Sequence, residues 1–390
     1  MRQTFAIEPP ILAAEDGTLR DYAGGLVEAM SAQFTPDLGD ERLLPPQAAG
    51  TPAGVHFLVE IKLRHGGGDA VATVTLLDAA SHDQLLVRTL TEPARPDLDP
   101  DRAALLGLVN DLKWAAIQRE QVASEAIPPA RRDARDLIIL ARFLQATEAN
   151  ELKLIADVEA ARQLAPDDMH VLATVAFVLS WRVTDGLSKD PDTDLEQAQA
   201  AADRVLSHNP RQISALRAMD NVAMAQGRWE DEIVATDRVL EVAHNESTTM
   251  SHRCDAELRL GRIAAAAATL DRLLPFQTPG NAWFVGMLAA RIRLGQGQYA
   301  ESAEWSRKTA QLMPHDGSFA PELSILALYR ASADGFLGNR EDASRALADF
   351  AVLAPEIHGI AEIVKTETLP FPKAGLDRLL DGLRKAGMPE

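Results

Sequence analysis

Arg217 and Asn221 stand four residues apart. On a helix that spacing puts both on one face, where a guanidinium and an amide can each donate hydrogen bonds to a carboxylate. Asp255, Arg259 and Arg291 follow at comparable places in the next two stretches of sequence. These five are the candidate partner-binding residues, and two readings of their face stand: a carboxylate-holding groove and a solvated helix surface.

Other groupings suggest chemistry and lack a part of it. His252 and Cys254 are two apart on an expected helix, so they point to different sides and make a poor metal pair. Asp190, Asp192 and Asp194 alternate as calcium ligands do, but no glycine and distal glutamate complete a loop. Thr193 with Glu196 reads instead as a capping box that opens the helix "LEQAQAAADRVL". "HGGGD", residues 65–69, lacks the following helix and Lys-Ser/Thr pair of a phosphate loop and reads as a hairpin turn. No Walker loop, Gly-x-Ser-x-Gly, His-Glu-x-x-His or dinucleotide fingerprint occurs. The expectation is a protein with no catalytic residues, no metal site and no cofactor.

Composition narrows the partners. The balance of 39 Lys+Arg against 57 Asp+Glu gives −18, a surface that repels a phosphate backbone, so direct nucleic-acid binding is not expected. The single cysteine, Cys254, excludes an intramolecular disulfide. No run of about 18 apolar residues occurs, so no membrane segment is expected. The compartment expected is the cytoplasm, or the periplasm if a membrane segment precedes Met1. Oligomeric state is not legible.

The elements that position these residues begin with a sheet. Val55, Phe57, Val59, Ile61 and Leu63 alternate with polar residues, which predicts a strand with one buried face. Strands through Val71–Leu77 and "QLLVRTL" follow it, and "TFAIE" is a short strand ahead of it. Leu19, Tyr22, Leu26, Met30 and Phe34 lie at helical spacing. Pro93, Pro96 and Pro100 break regular structure, and a helix starting near Arg102 carries a stripe of Leu105, Leu108, Val109, Leu112 and Ile117 with Trp114 beside it. Pro128 and Pro129 mark a domain boundary.

From Asp133 on, the period is helical. Gly227, Gly261, Gly297 and Gly338 are 34, 36 and 41 residues apart, and Pro210, Pro314 and Pro355 close helical runs. A period near 34 with a turn glycine between two helices resembles the tetratricopeptide repeat, over Asp133 to Ile357 in five or six units. Stacking such hairpins buries faces that none can bury alone. Met250, Cys254 and Leu258 are expected to face Leu270, Leu273 and Leu274, with Cys254 where a small side chain is needed. The first helices of stacked hairpins line a concave surface, toward which Arg217, Asn221, Asp255, Arg259 and Arg291 are expected to project.

A second resemblance covers the amino-terminal part. "FAIEPP", "DYAGGLVEAMSAQF" and the paired strands ending "VTLLDAASHDQLL" resemble the TolB amino-terminal-like domain that precedes repeats in many bacterial regulators. The closing "GLRKAGMPE", after a seam of Leu376, Leu379, Leu380 and Leu383, is similar to the tail of the modules on bacterial class III adenylate cyclases and winged-helix transcriptional regulators.

The expected architecture is therefore mostly α. A small α/β domain (1–127) precedes an α-α superhelix of tetratricopeptide repeats (133–357) and a carboxy-terminal capping helix (358–390). The resemblances imply a regulatory or sensory module for a protein or peptide partner. A small-molecule sensor, with its ligand between the α/β domain and the repeats, and a constitutive adaptor are the alternatives.

Overall fold

The computed structural model describes residues 4–13, 17–33, 42–44, 46, 54–93, 102–141, 148–243, 246–277, 281–313, 319–365 and 373–390. Phe34, Pro96, Pro100 and Pro314 lie outside them. Two compact units divide the chain, Met1–Val222 and Ala223–Glu390.

Unit 1 opens with a sheet in the order β3-β1-β4-β5-β6, formed by β1 (Thr4–Ile7), β3 (Arg42–Leu44), β4 (Phe57–Gly66), β5 (Asp69–Asp78) and β6 (Gln84–Pro93); β2 (Ile11–Leu12) also pairs with β4. β1 runs parallel to β3 and β4, while β4, β5 and β6 form an antiparallel meander. Alternation decides the buried face: Phe57, Val59, Ile61 and Leu63 are buried while Lys62 and Arg64 are exposed. Gly66 pairs with Asp69, leaving Gly67 and Gly68 as a two-residue turn with φ of +66° and +103°. That conformation is why glycines stand in "HGGGD", and the segment is a hairpin turn.

Helices α1 (Gly17–Gln33) and α2 (Arg102–Glu125) share one core with the sheet. Leu19, Leu26 and Met30 of α1 and Leu105, Leu108 and Leu112 of α2 meet Val59, Ile61 and Val74 there. Tyr22 donates from its hydroxyl to Glu92 Oε2 at 2.9 Å, pinning α1 to the end of β6. Burial, then the adjacent carboxylate, raises the Tyr22 phenol well above its ordinary range.

One turn of 3-10 helix at Pro129–Arg131 follows α2, and helical hairpins begin. They use α3 (Ala134–Ala141) with α4 (Glu148–Leu164), then α5 (Met169–Thr184) with α6 (Pro191–His208), then α7 (Ile213–Ala225). Asp168 starts α5 by accepting from His170 N and Val171 N. The opening of α6 corrects the capping-box expectation at Thr193 and Glu196. Pro191 takes the first helical position, so the cap is Asp190, which accepts from Thr193 N at 3.3 Å and from Thr193 Oγ1 at 2.7 Å. Asp194, 4% exposed, accepts from Arg182 and from Ser188 Oγ. Asp190 and Asp194 therefore have separate structural tasks, and Asp192 is exposed.

Unit 2 is helical: α8 (Trp229–Val242), α9 (Ser247–Arg259), α10 (Ile263–Leu273), α11 (Ala282–Gln296), α12 (Tyr299–Ala310), α13 (Ala320–Leu337), α14 (Arg340–Leu353), α15 (Ile360–Lys365) and α16 (Lys373–Ala386). Helices α9/α10, α11/α12 and α13/α14 form hairpins. Gly261, Gly297 and Gly338 at their turns have φ of +75°, +77° and +73°, and Gly227 ahead of α8 has +66°. At Gly261 the left-handed residue lets Arg262 N reach Glu257 O at 2.8 Å, closing α9 and reversing the chain. Met250, Cys254, Leu258, Leu270 and Leu273 share a buried cluster, as their spacing predicts. Cys254 is fully buried and donates to Ala266 O at 3.4 Å.

The seam of α16 packs on α13 with Leu379, Leu380 and Leu383 buried, and Ser332 Oγ donates to Leu379 O. Backbones touch here. A Cβ on Gly335 would lie 2.3 Å from Gly382 O, so the crossing has room only for glycine.

Candidate functional site

In unit 2, Asp255 and Arg259 lie one turn apart on α9, and Arg291 reaches toward them from α11. Arg259 Nε donates to Asp255 Oδ2 at 2.6 Å, and Arg291 Nη1 donates to Asp255 Oδ1 at 2.7 Å. One carboxylate thus serves two guanidiniums. The side chain of Arg291 is 4% exposed, whereas that of Arg259 is 31% exposed, with its guanidinium carbon 4.4 Å from the centre of the Trp229 ring.

This arrangement corrects the expectation that Asp255 and Arg291 project into open groove. A guanidinium so nearly removed from water needs an ionised acceptor, and Asp255 supplies it. Tyr329 of α13, 2% exposed, lies within the field of the same three groups. Burial pushes its phenol up to about 12; Asp255 adds to that and the two arginines oppose it.

In unit 1 the pair on α7 separates in role. Asn221 is 5% exposed and donates from Nδ2 to Ser180 Oγ at 3.3 Å, and Ser180 Oγ donates to Phe177 O at 2.9 Å. The expected joint hold of Arg217 and Asn221 on a carboxylate is corrected accordingly, because a buried amide must find partners inside the protein. Arg217 instead lines a cleft of about 460 Å³. Its walls are Trp114 of α2, Ile138 of α3, Leu154 and Val158 of α4, and Phe177, Val178 and Trp181 of α5, with the hydroxyls of Thr174 and Ser214.

Of the residues lining this cleft, only Arg217 is a sequence candidate, although the small-molecule alternative places a ligand between the α/β domain and the repeats. The other sequence signal is Trp114, which stands beside the apolar stripe of α2 and is 50% exposed in the fold.

Cys254 is fully buried, and burial, more than the nearby carboxylates, raises its thiol above the ordinary range. Among the described residues no group of three or more His, Cys, Asp or Glu is placed to hold a metal ion, and no helix is long and apolar enough to cross a membrane.

Antiparallel helix pairs turned by left-handed glycines follow a small α/β domain in the chain, a fold of tetratricopeptide-like helical hairpins. Among solved structures the chain is similar to a thermophilic TPR protein in Thermus thermophilus, at 18% identity over 51% of this chain and 98% of that one, with a TM-score of 0.39. It is similar also to a tetratricopeptide repeat protein from Parabacteroides merdae, at 17% identity over 64% of this chain and 98% of that one, with a TM-score of 0.40. No family model matches the chain, and no curated protein matches it.

Proposed function

We propose that this chain is a non-enzymatic regulatory or sensory module that recognises an acidic protein or peptide partner along the first helices of its repeats. The observation that carries the reading is the surface position of Arg259, held by Asp255 and stacked on Trp229. Two guanidiniums share that one carboxylate, and the more exposed of them, Arg259, stands at the surface against Trp229. A partly exposed guanidinium stacked on an indole offers an acidic ligand a charge-assisted contact at that place. In this reading Arg259 touches the partner, and Asp255 and Arg291 hold it in position.

The domain boundaries proposed are 1–127 for the α/β domain, 133–357 for the repeats and 358–390 for the capping segment. The resemblance to TolB amino-terminal-like domains, and to the modules of class III cyclases and winged-helix regulators, supports placing the chain in bacterial signalling or transcription regulation in the cytoplasm.

Fluorescence polarisation against a library of acidic peptides tests the binding claim. Binding should weaken as salt rises, and Arg259→Glu should lower affinity about tenfold or more while circular dichroism stays unchanged. Equal affinities for the parent and Arg259→Glu chains would overturn it.

A further inference from the structure

The cleft in unit 1 is built from two sources, the helix α2 that closes the sheet domain and the helices α3, α4, α5 and α7. Its volume of about 460 Å³ lies within the roughly 300–1,000 Å³ range of small-molecule sites. Three aromatic side chains, Trp114, Phe177 and Trp181, wall it, and its remaining walls are mainly aliphatic. Arg217 is the one charged side chain among the described residues that line it. Asp220, one turn further along α7, is buried and outside the lining.

Such a lining selects by chemistry. A wholly polar anion gains nothing from aromatic walls, and a neutral apolar molecule makes no use of the guanidinium. A ring or short apolar body ending in one carboxylate uses both, since aromatic faces stack on the body and the guanidinium takes the carboxylate in a charge-assisted pair. The chain's net charge of −18 repels anions at long range, so the local cation decides which anions stay.

We infer that this cleft binds a free, small, ring-bearing carboxylic acid, with Trp114 and Trp181 against the ring and Arg217 on the carboxylate. Unit 1 is then a small-molecule sensor as well as part of a repeat module. The inference goes beyond partner recognition at Arg259 and stands or falls separately from it.

Isothermal titration calorimetry on the full chain, with indole-3-acetate and 4-phenylbutyrate as probes, tests this. The expected result is saturable binding of the acids, with the neutral 4-phenylbutyramide weaker by about tenfold or more. Arg217→Met should erase the preference for acid over amide. Trp114→Ala, at a half-exposed position whose loss spares the core, should weaken both probes and leave the melting temperature of the free chain unchanged.

No saturable heat with either acid at millimolar concentration would overturn the inference, as would equal binding of acid and amide. Tighter binding of N-acetyl-Ala-Ala-Phe than of the free acids would also overturn it, because the cleft would then belong to a peptide terminus. Arg259→Glu lies outside the cleft and should leave these titrations unchanged, so a failure here is distinguishable from a failure of partner recognition.

Discussion

In unit 2 the polar side chains on α9 and α11 are bonded to one another, Asp255 between Arg259 and Arg291. In unit 1 Phe177 and Trp181 of α5 and Arg217 of α7 stand around an open cleft. Both surfaces come from hairpins of one kind, turned by Gly186 in unit 1 and Gly261 in unit 2 with φ of +71° and +75°. The backbone plan therefore leaves the chemistry of the first helices free. Ionic side chains close and stiffen one stretch, and aromatic ones leave room in the other.

The strongest way to break the comparison is Asp255→Leu. It leaves the nearly buried Arg291 without its carboxylate, and we expect a loss of about 3–5 kcal/mol in urea unfolding of unit 2, with unit 1 unaffected. A smaller change, at high pH, involves Tyr329. Tyrosine in the unfolded chain ionises near pH 10, while Tyr329 in the fold keeps its proton up to about 12. Its contribution is complete below pH 10 and is lost as pH rises from 10 to 12, on the order of 2–3 kcal/mol. Tyr329→Phe should flatten that decline in thermal melts taken across the window. Smallest, Gly186→Ala and Gly261→Ala should each cost about 1–2 kcal/mol, because both place a Cβ in the left-handed region. Equal costs in differential scanning calorimetry would sharpen the view that the turns are equivalent where the surfaces are not.

Local features of the fold were legible in the sequence. The alternation from Phe57 to Leu63 gave the strand and its buried face, and the glycine spacing gave the turns. Long-range pairings were not. Arg291 meets Asp255 across 36 positions, and Tyr22 meets Glu92 across 70, so no local pattern announces either bond. The α6 cap lies outside the Thr193/Glu196 pattern because proline at the first helical position moves the cap back to Asp190. Of the candidate site, Arg217 and Arg259 keep the exposure that surface chemistry needs, while Asn221, Asp255 and Arg291 face inward. The aromatic lining of the cleft stayed hidden because Trp114 joins it from outside the repeats.

The bond between Arg291 and Asp255 joins helices of successive hairpins. In a stack where each repeat touches only its neighbours, such a bond transmits melting from one repeat to the next. If α9 opens, Arg291 loses the carboxylate that α9 supplies, and α11 is destabilised with it. Amide protons of α9 and α11 should then exchange with solvent as one cooperative block, at a single opening free energy, rather than fraying helix by helix.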